Sequence, residues 1–347
     1  MKRITYMSTY GRLLSDQEIQ AIGEISSANN KAKGITGVLV SIGGHFFQII
    51  EGEEGAIDDL FQTISRDPRH IGLLCLKTEF NIAKRLFPNW SMNTINLDQN
   101  TDSVLYPVKI LFQTVGATHR IIEQYTQPSV LRIMASGINP LSVPVRKVDK
   151  LILFTDIVSF SFLSNRYPVE EVSQVVNDVF DLCTTTIASQ GGEVTKFMGD
   201  CVMAYFSASQ VDQALSASLS FLEHLQTLRR EAQPGTLRSV LYCGIGLSLG
   251  TVIEGNIGSA KKMDYTIIGD PVNTAAQVES LTRQLHKTLA FTEKVKNHAQ
   301  QPWNFLDVGN FNLKGKEGVS RIFSLDDELV SDFASHRNIK EQLQKFS

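Results

Sequence analysis

Residues 3–7 form a short β-type run, and Ser15-Asp16-Gln17-Glu18 is a capping box ahead of Ile19, Ile22 and Ile25, spaced along one helix face. Residues 35–42 and 45–50 are rich in β-formers and are joined by Gly43-Gly44, the spacing of a two-residue hairpin. A second helix carries Ile57, Leu60, Phe61 and Ile64, and residues 73–80 and 90–95 read as further strands. Residues 1–98 therefore predict one α+β domain.

The rhythm changes after Asp98-Gln99-Asn100. Val108, Leu111, Val115, Thr118, Ile122 and Tyr125 follow at alternating steps of three and four, the spacing of a coiled-coil seam. A helix packed on its own domain and a dimer seam both fit a pattern this short. Pro128, Gly137, Asn139-Pro140 and Pro144 then break regularity, so residues 99–147 read as a helical, short coiled-coil connector ending in a joint. Residues 148–325 predict a second, α/β block. Its elements are a strand at 150–158, a helix at 169–188, a hairpin at 193–206 tipped by Gly199-Asp200, a helix at 211–230, a strand pair at 241–257 and a helix at 270–285. Residues 326–347 read as a charged, peripheral tail.

Composition narrows the function classes. With 33 Lys and Arg against 36 Asp and Glu the formal charge is -3, so no global basic field points to nucleic acid or an anionic membrane. The N-terminal stretch lacks the apolar core of a signal peptide, and no window reaches the ~18 apolar residues of a membrane span. Cys75, Cys183, Cys201 and Cys243 are scattered, which suits reduced thiols and a cytoplasmic setting.

Two carboxylates stand out in the second block. Asp156 follows the apolar strand Leu151-Ile152-Leu153-Phe154, and Asp200 lies in a Gly-Asp turn. Such a pair can clamp two Mg2+ ions on a triphosphate, although Asp at strand ends and turns also serves local hydrogen bonding. The surrounding motifs, Phe154-Thr155-Asp156-Ile157-Val158-Ser159-Phe160, the stretch 192–200, Gly244-Ile245-Gly246-Leu247, the stretch 265–276 and Leu313-Lys314-Gly315-Lys316, come in the order of a class III adenylyl/guanylyl cyclase domain. This part of the chain resembles that family. The resemblance implies a ferredoxin-like α/β fold working as a head-to-tail homodimer, with two Mg2+ or Mn2+ held by Asp156, Asp200 and the Ile157 carbonyl. It also implies ATP as substrate: Lys196 and Thr266 match the purine-reading positions, where Lys with Asp or Thr goes with ATP and Glu with Cys goes with GTP. The 3'-hydroxyl would attack the α-phosphate in line and expel pyrophosphate.

One position departs from the pattern. The family pairs the Asn at position 273 with an Arg four residues on, and both stabilise the reacting phosphate from the opposite subunit. Here Asn273 is present, but 273 plus 4 is Gln277. By analogy with an arginine finger, the missing charge is worth about 4–7 kcal/mol of transition-state stabilisation. Arg283 falls on a different helix face and is not expected to substitute. Lys314 aligns loosely with a triphosphate-binding Lys of some members.

The first block carries a second set: Tyr6, Ser26, Asn30, Ile35-Thr36-Gly37-Val38-Leu39, Phe46-Phe47-Gln48-Ile49-Ile50-Glu51-Gly52, Asp67-Pro68-Arg69-His70 and Trp90-Ser91-Met92. Together these resemble the BLUF family of flavin blue-light sensors. The resemblance implies a non-covalent FAD or FMN between the two helices, with Ser26 and Asn30 at its edge and Gln48 bridging it to Tyr6. Tyr6 would give an electron and a proton to the excited ring, and Gln48 would report it by rewiring its amide. Trp90 and Met92, read as strand residues, would carry the change onward. Arg69 and His70 either contact the flavin tail or remain surface groups.

The two resemblances imply a BLUF-coupled adenylyl cyclase that makes cyclic AMP under blue light, dimeric through the connector helices and the cyclase domains. A nucleotide-binding sensor silenced by Gln277 is the competing reading, and a guanylyl cyclase is the third.

Overall fold

The computed structural model describes residues 1–99, 106–136, 138–259, 262–333, 338, 339 and 341. It divides into two compact units, Met1–Val143 and Pro144–Ser347. Residues 100–105, Gly137, 260, 261 and most of residues 334–347 lie outside the described residues, and with them the start of the expected connector.

The first unit is built from β1 (Lys2–Tyr10), α1 (Asp16–Ala32), β2 (Thr36–Ile42), β3 (His45–Gly52), α2 (Glu54–Ser65), β4 (His70–Glu79), β5 (Asn93–Asn96), α3 (Tyr106–Tyr125) and α4 (Pro128–Ala135). Its sheet runs β4-β1-β3-β2-β5. The first four strands pair antiparallel in the order of a ferredoxin-like α+β sheet, and β5 adds parallel to β2. The Ser15 capping box opens α1 with both reciprocal bonds in place. Ile22 of α1 and Ile57 of α2 pack with Ile4, Tyr6, Leu39, Phe46 and Ile50 from one face of the sheet.

Alternation turns the neighbouring residues to the opposite face. There Phe47 meets Phe112 of α3 with ring centroids 5.0 Å apart, and His119 bonds the Gly72 carbonyl at 2.6 Å. A Cβ on Gly116 would lie 2.5 Å from the His45 ring, so this turn of α3 sits hard on the sheet. The face that packs is Phe112, Gly116 and His119, spaced as one helical stripe. Of the expected seam, Val108, Leu111, Thr118 and Tyr125 point outward, Tyr125 at 86% exposure.

The second unit comprises β6 (Arg146–Ile157), α5 (Phe160–Ser164), α6 (Val169–Ser189), β7 (Glu193–Met198), β8 (Cys201–Ser207), α7 (Val211–Glu231), β9 (Cys243–Ser259), β10 (Lys262–Ile268), α8 (Asp270–Leu285), β11 (Leu289–Thr292), α9 (Glu293–His298), β12 (Phe305–Phe311), β13 (Ser320–Leu325) and α10 (Glu328–Ser331). Its central strands run β9-β6-β8-β7, the same ferredoxin-like order, extended by β11, β13 and β12. The strand pair expected within 241–257 is instead one long strand, β9, which pairs with β10. Both faces of β6 are covered, which is why it reads as a continuous apolar run. Leu151 and Leu153 face the core made with α6 and α7, while Ile152 and Phe154 face Ala275 of α8.

Two glycines set how closely α8 approaches. A Cβ on Gly246 would lie 2.2 Å from the Glu279 amide nitrogen, and one on Gly244 would lie 2.4 Å from Thr282 Oγ1. The tail is not peripheral at its start. Val330 is wholly buried, and Arg229 pairs with Asp332.

Candidate functional site

Tyr6 and Gln48 are cross-strand partners on β1 and β3, so both project onto the face covered by α1 and α2. The Tyr6 hydroxyl donates to Gln48 Oε1. Gln48 Nε2 in turn donates to Met92 Sδ at 3.5 Å. Burial raises the Tyr6 phenol far above its ordinary range, so it is a neutral donor. Asn30, 2% exposed, donates to the Ser91 carbonyl at 3.0 Å and ties α1 to the segment that carries Met92. Ser26, half-buried, stands one turn before it.

The strand expected over 90–95 is confined to β5. Pro88-Asn89 makes a turn in which the Trp90 N–H returns to the Phe87 carbonyl at 3.2 Å, so Trp90 and Met92 precede the strand. Met92 is buried; Trp90 is 41% exposed and stacks on Phe87.

Arg69 is exposed and held by Asp67 through its Nε and Nη2. His70 bonds Ser8 Oγ at 2.8 Å and lies 4.8 Å from the Phe46 ring. Burial pushes its imidazole down to about 4.

On the other face of the same sheet, wholly buried Glu51 accepts bonds from Arg3 Nε at 3.0 Å, the Leu86 N–H at 3.0 Å and the Phe87 N–H at 2.6 Å. Those bonds fix the segment that leads to Trp90 and Met92.

In the second unit, Asp156 continues the even-numbered row of β6 that faces α8, and Asp200 sits in the turn before β8. Asp156, Ile157, Asp200, Arg283 and the start of α5 line an open pocket of about 450 Å³. Burial, followed by the neighbouring Asp156 carboxylate, raises Asp200 to about 7, although the Ile157 N–H bond opposes the shift. Arg283 Nη2 donates to Asp156 Oδ2 at 2.7 Å, and Nη1 reaches Glu279 at 2.9 Å. Burial lifts the Glu279 carboxyl to about 7, with Arg283 partly offsetting it.

Arg283, which in sequence was expected only not to substitute for the missing arginine, lies in the carboxylate pocket and not beside Asn273. The parity of β6 and the four-residue spacing of Glu279 and Arg283 are the sequence signals that could have found it.

Lys196 on β7 pairs with Asp264, and Thr266 lies two residues along β10 on the same strand face, 9% exposed. Asp264 was missed in sequence, though its alternation with Thr266 is visible there. Asn273 and Gln277 share one face of α8; Asn273 is exposed, and the Gln277 amide bonds the backbone of Lys314.

Residues 144–326 match the family described as adenylate and guanylate cyclase catalytic domain, and residues 1–93 match BLUF, sensors of blue-light using FAD. The chain belongs to the adenylate and guanylate cyclase catalytic-domain family and carries a BLUF domain ahead of it. It is similar over its full length to the solved structure of a bacterial light-regulated adenylyl cyclase, at 44% identity, TM-score 0.92 and 100% coverage of both chains.

It is also 31% identical to photoactivated adenylate cyclase subunit alpha and 30% identical to subunit beta, both of Euglena gracilis. Each match covers 84% of this chain but only 29% and 34% of the relative, so the chain spans about a third of those proteins' length.

BLUF domains bind flavin, and class III cyclase domains use Mg2+ or Mn2+. The residues present fit both groups. Asn30 Oδ1 and one Gln48 N–H have no partner among the described residues, an acceptor and a donor suited to the polar edge of a flavin. Asp156 and Asp200 are neighbouring carboxylates; burial first, and then the nearness of Asp156, lift Asp200 to about 7, and a divalent cation relieves both costs.

Proposed function

We propose that the chain is a blue-light-activated adenylyl cyclase that converts ATP to 3',5'-cyclic AMP and pyrophosphate as a homodimer in the cytoplasm. The observation that carries this reading is the full-length likeness, at 44% identity, to a bacterial light-regulated adenylyl cyclase. A flavin supplies light absorption and electron uptake, and divalent ions supply positive charge to a triphosphate.

Tyr6 is placed to give up an electron and its hydroxyl proton. That transfer takes away the donor to Gln48 Oε1 and frees the Gln48 amide to re-pair, which alters its bond to Met92. The consequence passes along α3 and the proline-containing joint and shifts a population between two arrangements of the cyclase dimer. The outward row of Val108, Leu111, Thr118 and Tyr125 suits pairing with a second copy.

In the cyclase unit, Asp156, Asp200 and the Ile157 carbonyl would hold the divalent ions, whose charge would neutralise the triphosphate. Lys196 and Thr266 read the adenine, with Asp264 orienting Lys196. Asn273 of one subunit reaches the site of the other.

The test is cyclic nucleotide formation by purified, flavin-loaded protein with ATP or GTP, with Mg2+ or Mn2+, in darkness and under blue light. Light-dependent cyclic AMP supports the reading. Faster turnover of GTP would refute the adenine assignment.

One observation favours a second reading, a sensor whose cyclase half is silent: position 277 carries no charge, and its amide is engaged elsewhere. Nucleotide binding with no cyclic product under either light condition would establish that reading instead.

A further inference from the structure

The family's arginine position is occupied here by a group doing something else. We propose that Gln277 is a positioning residue whose side-chain amide latches the backbone of Lys314, so that the Lys314 ammonium, and not residue 277, serves the phosphates of the nucleotide. This rests on the reading above that the second unit binds ATP.

The geometry is specific. Gln277 Oε1 accepts from the Lys314 N–H at 2.5 Å, and Gln277 Nε2 donates to the Lys314 carbonyl at 3.0 Å. A primary amide presents an acceptor and a donor side by side, as a peptide unit does, so the two bonds close in parallel. Arginine has no acceptor for that N–H, and ionised glutamate has no donor for that carbonyl. The latch is therefore something that glutamine provides and the family's arginine does not.

The loop is fixed on either side of the latch. Leu313 is buried with Val278 and Ile322, the Lys316 N–H returns to the Leu313 carbonyl at 3.1 Å, and Lys316 Nζ lies 3.2 Å from Asp270 Oδ2. Gly315, at φ +83°, makes the turn between them. Asp270, Val278 and Gln277 all belong to α8, the helix that presents Asn273 one turn from Gln277. The Lys314 ammonium has no partner among the described residues and stays available.

Two measurements on the full-length, flavin-loaded protein test the proposal. The first is hydrogen–deuterium exchange across residues 311–319 in the absence of nucleotide, compared among wild type, Gln277→Glu, Gln277→Arg and Gln277→Ala. A net hydrogen bond shifts an equilibrium by about fivefold. The Lys314 amide should exchange slowly in wild type and Gln277→Glu, which keep the acceptor, and at least about fivefold faster in Gln277→Arg and Gln277→Ala. Equal exchange in all four overturns the latch.

The second is the affinity for a non-cyclisable ATP analogue with a methylene between its α- and β-phosphates. Gln277→Ala should weaken it about tenfold, and adding Gln277→Ala to Lys314→Ala should cost little more than Lys314→Ala alone. An unchanged affinity in Gln277→Ala, or full additivity of the two substitutions, overturns the positioning of Lys314. Absence of cyclic AMP from every form would sink the proposed activity, while the exchange pattern would still judge the latch.

Discussion

Replacing Glu51 by alanine probes the buried bonds on the sheet face opposite Tyr6 and Gln48. The Glu51 carboxylate is wholly buried and serves four donors: the Arg3 guanidinium, the Thr36 hydroxyl at 3.4 Å and the N–H groups of Leu86 and Phe87. Its removal leaves two peptide groups and a cation that is 9% exposed without that acceptor. Breaking a buried ion pair costs about 3–5 kcal/mol, and each unmatched buried donor about 1–3. Arg3 keeps Glu79 at 3.2 Å and the Lys84 carbonyl at 2.9 Å, which softens the loss. The net expectation is about 3 kcal/mol for Glu51→Ala and about half that for Glu51→Gln, which fills the space and keeps one acceptor.

The chain has two tryptophans, Trp90 in the first unit and Trp303 in the second. Urea unfolding followed by Trp90 fluorescence in a Trp303→Phe background therefore reports the first unit alone. At about 1–3 kcal/mol per molar urea, the midpoint should fall by roughly 1–3 M. Trypsin should also cut faster after Lys84 and Arg85, whose segment Glu51 anchors. A loss below about 1 kcal/mol with unchanged cleavage would refute the claim that this carboxylate holds the segment leading to Met92.

Three further outcomes are expected. Tyr6→Phe removes the donor to Gln48 Oε1, so light should no longer change cyclic AMP output while dark output and flavin content persist; a retained light response would refute the role given to the hydroxyl. His70 is pushed from 6.5 down to about 4 by burial, so between those values the unfolded chain binds the extra proton and stability falls with falling pH. Discounted for partial exposure, the effect is about 1–2 kcal/mol, and wild type should lose more than His70→Asn in urea midpoints between pH 7 and pH 5. Arg283→Met should raise Mn2+ affinity about tenfold in paramagnetic resonance titrations, since the ion no longer competes with a guanidinium for Asp156 Oδ2; unchanged or weaker binding would show that the two do not compete.

The elements most legible in sequence are those whose periodicity answers to one buried face. The Ser15 capping box, the Gly43-Gly44 hairpin and α6 to α8 lie close to where their patterns put them. The rest was decided by tertiary competition. On α3 the sequence left open a helix packed on its own domain or a dimer seam; the stripe that packs on the sheet is Phe112, Gly116 and His119, while Val108, Leu111, Thr118 and Tyr125 stay outward. Trp90 reads as a strand residue on propensity, yet Pro88 two positions earlier denies the ladder an N–H. Helix-face arithmetic from Gln277 addressed only whether Arg283 replaces the missing arginine, and left its own neighbour unread. The relevant neighbour was Asp156, brought under α8 by glycines at 244 and 246 that no periodicity rule weighs.

The two units share one strand order, and the position of the polar residues along it separates their chemistry. In the first unit, Tyr6 and Gln48 lie mid-strand on the adjacent strands β1 and β3, under two helices, where a neutral hydrogen bond is shielded from water and a change of one donor is felt in full. In the second, Asp156 stands near the end of β6 and Asp200 in the turn before β8, the corresponding strands, and there a pocket of about 450 Å³ opens beside Arg283 of α8. A closed position suits a switch that must not exchange protons with solvent. An open one suits the proposed triphosphate, which must enter with its metal and depart as cyclic nucleotide and pyrophosphate. Extending β6 beyond Ile157 should therefore abolish nucleotide turnover while leaving the urea midpoint of the second unit unchanged, whereas opening the first site to water should abolish its discrimination between two amide arrangements.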